Sequence, residues 1–327
     1  MNINEIAKLA GVSRATVSRY LNEGYVSEEK KEIIRGVIAR TGYEPSTQAQ
    51  NLRKKVTKLI GVIIPKLQSQ SVSRMVDGIS EVLNKEGYQL LLANTGNDEK
   101  EELNYLRIFR KNQVDGIIFM GTLLTKAHYE LAGELEVPLV VIGQQMEGYA
   151  CVYQDDYHAA KQAAQLLLRD GKNVGYIGVT TKDKAVGAAR RSGFVAALRE
   201  KGEKEMTQYM EEAEFNVESA YEHTKILLTK HTEIDSIFCA TDGLALGTLK
   251  YLHEKNIAVP QEIQLVGFGD TTVGNVVTPA ISSVHFFYKT SGMEAARLLL
   301  EILNTGEDQK KEIKMGFKIV EKESTRK

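Results

Sequence analysis

From Thr57 onward this 327-residue chain alternates short apolar runs with longer amphipathic stretches, and no other feature restricts its fold so tightly. The apolar runs are LIGVII, YQLLLA, DGIIFM and PLVVIG, then ACVYQD, NVGYIGV, SIFCAT and IQLVGF. Helical patterns lie between them at 72–85, 99–112, 126–135, 157–169, 184–201, 217–230 and 244–253. Strands alternating with helices of this length form parallel sheets covered on both faces. The strands are too many for one comfortable sheet, so the core is expected as two similar lobes. In open α/β sheets a ligand binds beyond the carboxyl ends of the strands, and two facing lobes direct those ends at one cleft.

The first residues are built differently. Residues 4–22, NEIAKLAGVSRATVSRYLN, read as two short helices joined by a tight turn. Asn4 is placed to cap the first helix, Ile6, Leu9 and Ala10 share its apolar face, and Gly11 ends it. Ser13 caps a second helix whose Val17, Tyr20 and Leu21 point inward. Arg14, Ala15, Ser18, Arg19 and Asn22 line its other face, and Asn4, Ser13 and Thr16 complete the set of candidate DNA contacts. A short helix with a small, polar, basic face suits the major groove of DNA; an ordinary solvated hairpin is the plain alternative. Ser27 then caps a third helix with Glu28 and Glu29 in its first turn and Ile33, Ile34, Val37 and Ile38 on its core face, closed by Gly42. After Pro45 a polar segment carries one large apolar residue, Leu52, too little to hold a helix without a partner.

Charge separates the two parts. Residues 1–58 carry 11 Lys plus Arg against 6 Asp plus Glu, and the remainder 31 against 37, which the whole-chain value of −1 hides. A basic head on an acidic body fits nucleic-acid binding by the head alone.

The wording AKLAGVSRATVSRYLN, then GYEPS and LIGVIIP, resembles the lactose and galactose repressor (LacI/GalR) family, and the resemblance continues over nearly the whole chain. ATDGLALGTLKYL and YIGVTTKDKAVGAARRSGF are similar to its trehalose and sucrose repressor branch. The resemblance implies an α/β protein: an all-α helix-turn-helix head over 1–44, a hinge helix over 45–57 and a two-lobed, periplasmic-binding-protein-like core over 58–327. It places lobe 1 at about 58–145 and 284–308, and lobe 2 at about 149–280 and 311–327, with crossings near 144–148, 278–283 and 304–311. In the hinge, Ala49 and Leu52 match the helix that pairs across a dimer and wedges its leucine into a kinked minor groove.

The strand ends supply the candidate effector site. Lys66, Gln68 and Gln70 follow the first strand, Gln144 the fourth, Tyr153 and Asp155 the fifth, and Phe268 ends IQLVGF. The resemblance aligns Arg190 and Asp242, beside Thr241, with positions that hydrogen-bond an effector's hydroxyls or carboxylate. A surface-helix role for Arg190 and helix capping by Asp242 are the structural alternatives. Gly269 stands where relatives often carry a sugar-binding aspartate. The branch includes phosphorylated disaccharides among its effectors, which makes Lys66 a candidate phosphate partner, or else a solvated lysine.

Catalytic signatures do not occur: no GxGxxG, GxxxxGK[ST], GxSxG or HExxH, and six histidines without metal spacing. No cofactor or metal is expected. Cys151 and Cys239 lie in apolar runs and suit reduced buried thiols, and the absence of a signal peptide or long apolar run suggests a cytoplasmic address with no membrane partner. The expected protein is a homodimeric repressor that binds near-palindromic double-stranded operator DNA and leaves it when a sugar or sugar phosphate enters the cleft. The competing expectations are a DNA-free sugar sensor, a sugar-processing enzyme and a repressor that uses a corepressor.

Overall fold

A computed structural model describes residues 1–22, 24–43, 56–111, 114–202, 209–307 and 310–326. The expected hinge contacts Ala49 and Leu52 lie outside them. Contacts divide the chain into two units, Met1–Lys58 and Leu59–Lys327.

Among its described residues the head has three helices: α1 (Ile3–Leu9), α2 (Arg14–Leu21) and α3 (Glu28–Thr41). Asn2, not Asn4, caps α1. Its side chain accepts from the backbone of Asn4 and Glu5, and the Glu5 carboxylate returns to the Asn2 amide at 3.0 Å, a reciprocal box that Asn4 has no partner to build. Gly11, at φ 63, makes the turn into α2. Ser13 caps α2 as expected, accepting from the Thr16 amide at 3.1 Å. Ile6, Ala7, Ala10, Val17, Ile34 and Val37 form the core. Leu9 and Ile33, expected inside, are 51% and 44% exposed. The buried stripe of α1 runs through positions 6, 7 and 10 and that of α3 through 34 and 37, which leaves both residues on the flanks.

The second unit contains two six-stranded sheets. The first orders its strands β11-β5-β4-β3-β1-β2: β1 (Leu59–Ile64), β2 (Gln89–Asn94), β3 (Gly116–Phe119), β4 (Leu139–Ile142), β5 (Ala150–Gln154) and β11 (Glu312–Met315). All its pairings are parallel. The second orders β12-β10-β9-β8-β6-β7: β6 (Val174–Gly178), β7 (Met210–Glu212), β8 (Ser236–Cys239), β9 (Gln264–Phe268), β10 (Ser282–Phe286) and β12 (Phe317–Val320), the last antiparallel to β10. Helix cover on both faces explains the continuous apolar wording: Ile60, Val62 and Ile63 of β1 are fully buried, each contributing roughly 1.5–3 kcal/mol. β2, on the edge, leaves Leu91 and Leu92 partly exposed.

In the first lobe α4 (Gln70–Lys85), α5 (Glu99–Lys111), α6 (Lys126–Gly133) and α12 (Tyr288–Thr305) cover the sheet. α4 and α12 touch backbone to backbone because Gly78 and Gly292 face each other's helix; a Cβ on either would stand 2.0 Å from a carbonyl of the other. In the second lobe the helices are α7 (Asp156–Leu167), α8 (Arg190–Glu200), α9 (Val217–Lys230), α10 (Asp242–Glu254) and the short α11 (Thr272–Val276). A π-helical turn, Lys184–Ala189, runs straight into α8.

The chain crosses between lobes at Asp155, after Phe286 and at Gly316. This corrects the expected crossings near 144–148, 278–283 and 304–311, each about one strand too early. β5 pairs with β4 in the first sheet, β10 with β9 in the second, and β11 returns to β5. Which sheet a short strand joins is fixed by partners distant in sequence, so local pattern alone misplaced all three.

Candidate functional site

The carboxyl ends of both sheets open onto a cavity of about 630 Å³ between the lobes. That size accommodates a disaccharide-scale ligand. Eight of the ten expected effector residues line it: Lys66, Gln68, Gln70, Gln144, Arg190, Thr241, Asp242 and Phe268.

Tyr153 and Asp155 do not, which corrects both expectations. Side chains alternate along β5, so Gln154 faces the cavity while the Tyr153 hydroxyl donates to Glu312 at 3.4 Å. Asp155 caps α7 at the crossing, accepts from the His158 ring at 2.8 Å and pairs with Lys314 at 3.5 Å. Its neighbour Asp156 is the carboxylate turned into the cavity wall.

Arg190 is the centre of that wall, 4% exposed. It is not a surface-helix arginine. Its Nε donates to Asp156 at 2.7 Å, Nη1 donates to the Ala240 carbonyl, and the guanidinium lies 4.7 Å from the Phe268 ring centroid and 5.3 Å from that of Phe286. Those rings belong to a buried aromatic group with Tyr176, Phe194 and Phe238, so the arginine sits on a rigid floor. Burial raises the Asp156 carboxyl above its ordinary value, and Arg190 opposes the rise.

Asp242 does not cap α10. Thr241 does, accepting from the Leu244 amide at 3.1 Å. Both Asp242 oxygens are used inside the lobe, one accepting from the Ser283 hydroxyl at 2.6 Å and one from the Thr271 amide at 2.7 Å. Burial raises this carboxyl, against those two bonds. Asp242 therefore fastens the strand end that carries Phe268 and Gly269. Asp183, which also lines the cavity, caps the π-helical turn through the Val186 amide at 2.8 Å and is raised by burial.

Lys66 is half-buried. Its ammonium donates to the Phe215 carbonyl of the other lobe at 3.0 Å and lies 5.5 Å from that ring, and burial lowers its pKa. Sequence reasoning missed Asp156, Asp183, Phe215 and Tyr288 as lining residues. The aspartate in the TKDKAVG wording, four residues before the glycine that only fits against the Thr180 carbonyl, was the available signal for Asp183.

In the head, Ser13, Arg14, Ala15, Arg19 and Asn22 are exposed on α2, with Thr16 and Ser18 partly so, and Asn4 is exposed on α1. Ser13 and Thr16 bond each other at 2.9 Å, and the Asn22 amide donates back to the Ser18 carbonyl at 2.6 Å. Among the described residues, Arg14, Ala15 and Arg19 are thus the exposed side chains of α2 with no such local duty. Among the described residues no group of His, Cys, Asp and Glu is placed to hold a metal, and no helix is long and apolar enough to cross a membrane.

Two profiles match the chain: bacterial regulatory proteins of the lacI family over residues 2–46, and the periplasmic binding protein-like domain over 163–325. The chain is 34% identical to the sucrose operon repressor of Staphylococcus xylosus across 92% of its own length and 93% of that protein. It is similar in fold to the lac repressor dimer bound to operator and an anti-inducer, at a TM-score of 0.88, 19% identity and 99% coverage of both chains. The transcriptional regulator CelR in complex with cellobiose matches at 0.77, 23% identity and the same coverage. The chain belongs to the lacI family of bacterial regulatory proteins, transcriptional regulators that are not enzymes.

Proposed function

We infer that this protein is a cytoplasmic, homodimeric repressor of a sugar-utilisation operon, and that a sugar in the interlobe cavity releases it from a near-palindromic operator. The observation that carries the reading is the pairing, on one chain, of an exposed Arg14–Ala15–Arg19 face on a capped helix with a cavity floored by Arg190 and aromatic rings. A sensor without DNA has no use for the first, and the carboxyls lining the second already have structural partners: Asp156 holds Arg190, Asp183 caps the π-helical turn and Asp242 holds Ser283 and Thr271. The similarity to the sucrose operon repressor supports a disaccharide.

A free sugar is favoured over its phosphate. Asp156, Asp183 and Asp242 line the cavity, Arg190 is already paired, and the ammonium of Lys66 is engaged with the Phe215 carbonyl. A dianion would enter against three buried carboxyls with one partly committed cation to meet it. Fluorescence anisotropy on a selected operator, repeated with paired free and 6-phosphorylated disaccharides, tests the whole reading. Release by the free sugar is expected. Tighter operator binding with the sugar would establish corepression instead, and release by the phosphate alone would restore Lys66 as its partner.

A further inference from the structure

Among the described residues, four hydrogen bonds join the lobes in and beside the cavity, each made by a side chain of the first lobe with a backbone atom of the second. Lys66 donates to the Phe215 carbonyl at 3.0 Å, and Gln70 Oε1 accepts from the Thr272 amide at 2.9 Å. Arg74, on the second turn of α4, donates through Nη1 to the Gly269 carbonyl and through Nη2 to the Asp270 carbonyl, both at 3.2 Å. Lys66 and Gln70 line the cavity; Arg74 does not. It is therefore placed to act on the lobes and not on a bound molecule.

The acceptor side is shaped for this. Gly269 has φ 129 and Asp270 φ 45, two successive residues in the left-handed half of backbone space, and their neighbouring carbonyls meet one guanidinium. The Asp270 carboxylate takes no part: Lys322 holds it at 2.6 Å, His285 at 2.9 Å and Asn275 at 3.3 Å. An L side chain at position 269 would be strained at that φ, although a Cβ would meet nothing closer than 3.5 Å. Glycine is thus the residue that takes this turn without strain.

We propose that Arg74 and the Gly269–Asp270 turn form a clasp that holds the two lobes closed before any ligand arrives, and so set how much of the closure an effector has to drive. The proposal rests on the reading of the cavity as the effector site. A guanidinium is a planar fork with two parallel donors, matched to two adjacent carbonyls; an ammonium can reach one. The acceptors are uncharged, so the clasp persists in salt that would weaken an exposed ion pair. A ligand shifts an equilibrium only by its preference between the two states, and a state already closed leaves more of the contact energy as affinity.

The test measures interlobe distance in the full chain by electron spin resonance, with labels on cysteines replacing Lys100 and Lys182, exposed residues of the first and second lobes. The ligand-free parent should show a predominantly short-distance population. Arg74→Met should raise the open-to-closed ratio about tenfold, as expected for losing hydrogen bonds from a charged group. Gly269→Ala should do the same from the acceptor side, and Arg74→Lys should fall between. Melting curves accompany each variant, and Gln70→Ala, which removes a neighbouring bond without touching a charge, serves if Arg74→Met does not fold. A parent that is open without ligand, or distance distributions unchanged in folded Arg74→Met, overturns the clasp. Faster dissociation of a cavity sugar from Arg74→Met supports it. A parent that no sugar stabilises would remove the effector reading while leaving the distance result to decide the clasp.

Discussion

Arg19 and Arg190 show two ways of using the same side chain. Arg19 stands exposed on α2 with no ion-pair partner among the described residues, whereas Arg190 is buried, paired with Asp156 and laid over two aromatic rings. The first charge is solvated and available to a phosphate or a guanine edge, so what it binds is held in a salt-dependent way. The second has its partners before a ligand arrives, so it supplies orientation with little left for long-range attraction. On the proposed reading, one chain thereby keeps a salt-dependent grip on DNA in the head apart from a discriminating sugar site in the core.

The largest effect expected from breaking this contrast is at Arg190. Arg190→Ala leaves the buried Asp156 carboxyl without its cation, and urea unfolding should show the core destabilised by roughly 3–5 kcal/mol, with sugar binding lost. Removing both charges together, as Arg190→Met with Asp156→Leu, should recover most of that stability and none of the binding. A core that unfolds like the parent after Arg190→Ala would mean the pair contributes nothing.

At Arg19 the expectation is reversed. Arg19→Ala should leave the melting of the protein unchanged and weaken specific operator binding by about 1–3 kcal/mol if the side chain reads a base. If it touches only phosphate, all sequences should weaken alike and the salt slope should fall by about one. Operator affinity equal to the parent's would take Arg19 out of the interface.

The same contrast explains what could be read without coordinates. The α2 face comes from residues close together in sequence, and helical periodicity with one capping serine fixes where each points. Errors there were of flank and cap, as with Leu9, Ile33 and Asn4, where Ala7 and the Asn2–Glu5 box decided matters that apolar spacing could not see. The cavity draws on the ends of strands from two sheets. Its strand-end residues were found because the carboxyl ends of parallel strands always face the site, but the choice between Asp155 and Asp156 depended on where the chain leaves the first sheet. That crossing is set by β5 pairing with both β4 and β11, and the β11 contact comes from a segment more than 150 residues later. The engagement of Lys66 with the Phe215 carbonyl and of Asp242 with Ser283 and Thr271 likewise exists only once distant strands are assembled.

A smaller effect separates structure from contact within the head itself. Ser13 is exposed on the face proposed to meet DNA, yet its hydroxyl caps α2. Ser13→Ala should cost about 1 kcal/mol of helix stability without DNA present, while glycine in its place costs only a few tenths. Amide hydrogen exchange along α2 reads the difference. Equal protection in all three proteins would mean that the Ser13 hydroxyl does not stabilise α2.

The smallest effect is a pH dependence, and its sign follows from burial. Asp242 is raised above 3.8 in the folded protein, chiefly because the carboxyl is buried, with the Ser283 and Thr271 bonds opposing. The native state therefore holds a proton at pH values where the unfolded chain has released it. The native preference for the protonated carboxyl is fully present below 3.8 and fades as pH rises through the higher native value. Many other carboxylates shift in the opposite direction, Asp270 beside Lys322 and His285 among them, so the total pH profile does not isolate this one. The difference between the parent and Asp242→Asn does. Parent stability should fall relative to the variant as pH is raised from below 3.8, and the two curves should run parallel once both states are ionised. A parent that gains on the variant over that range would mean the two hydrogen bonds outweigh burial, and would make Asp242 a charged member of the cavity wall.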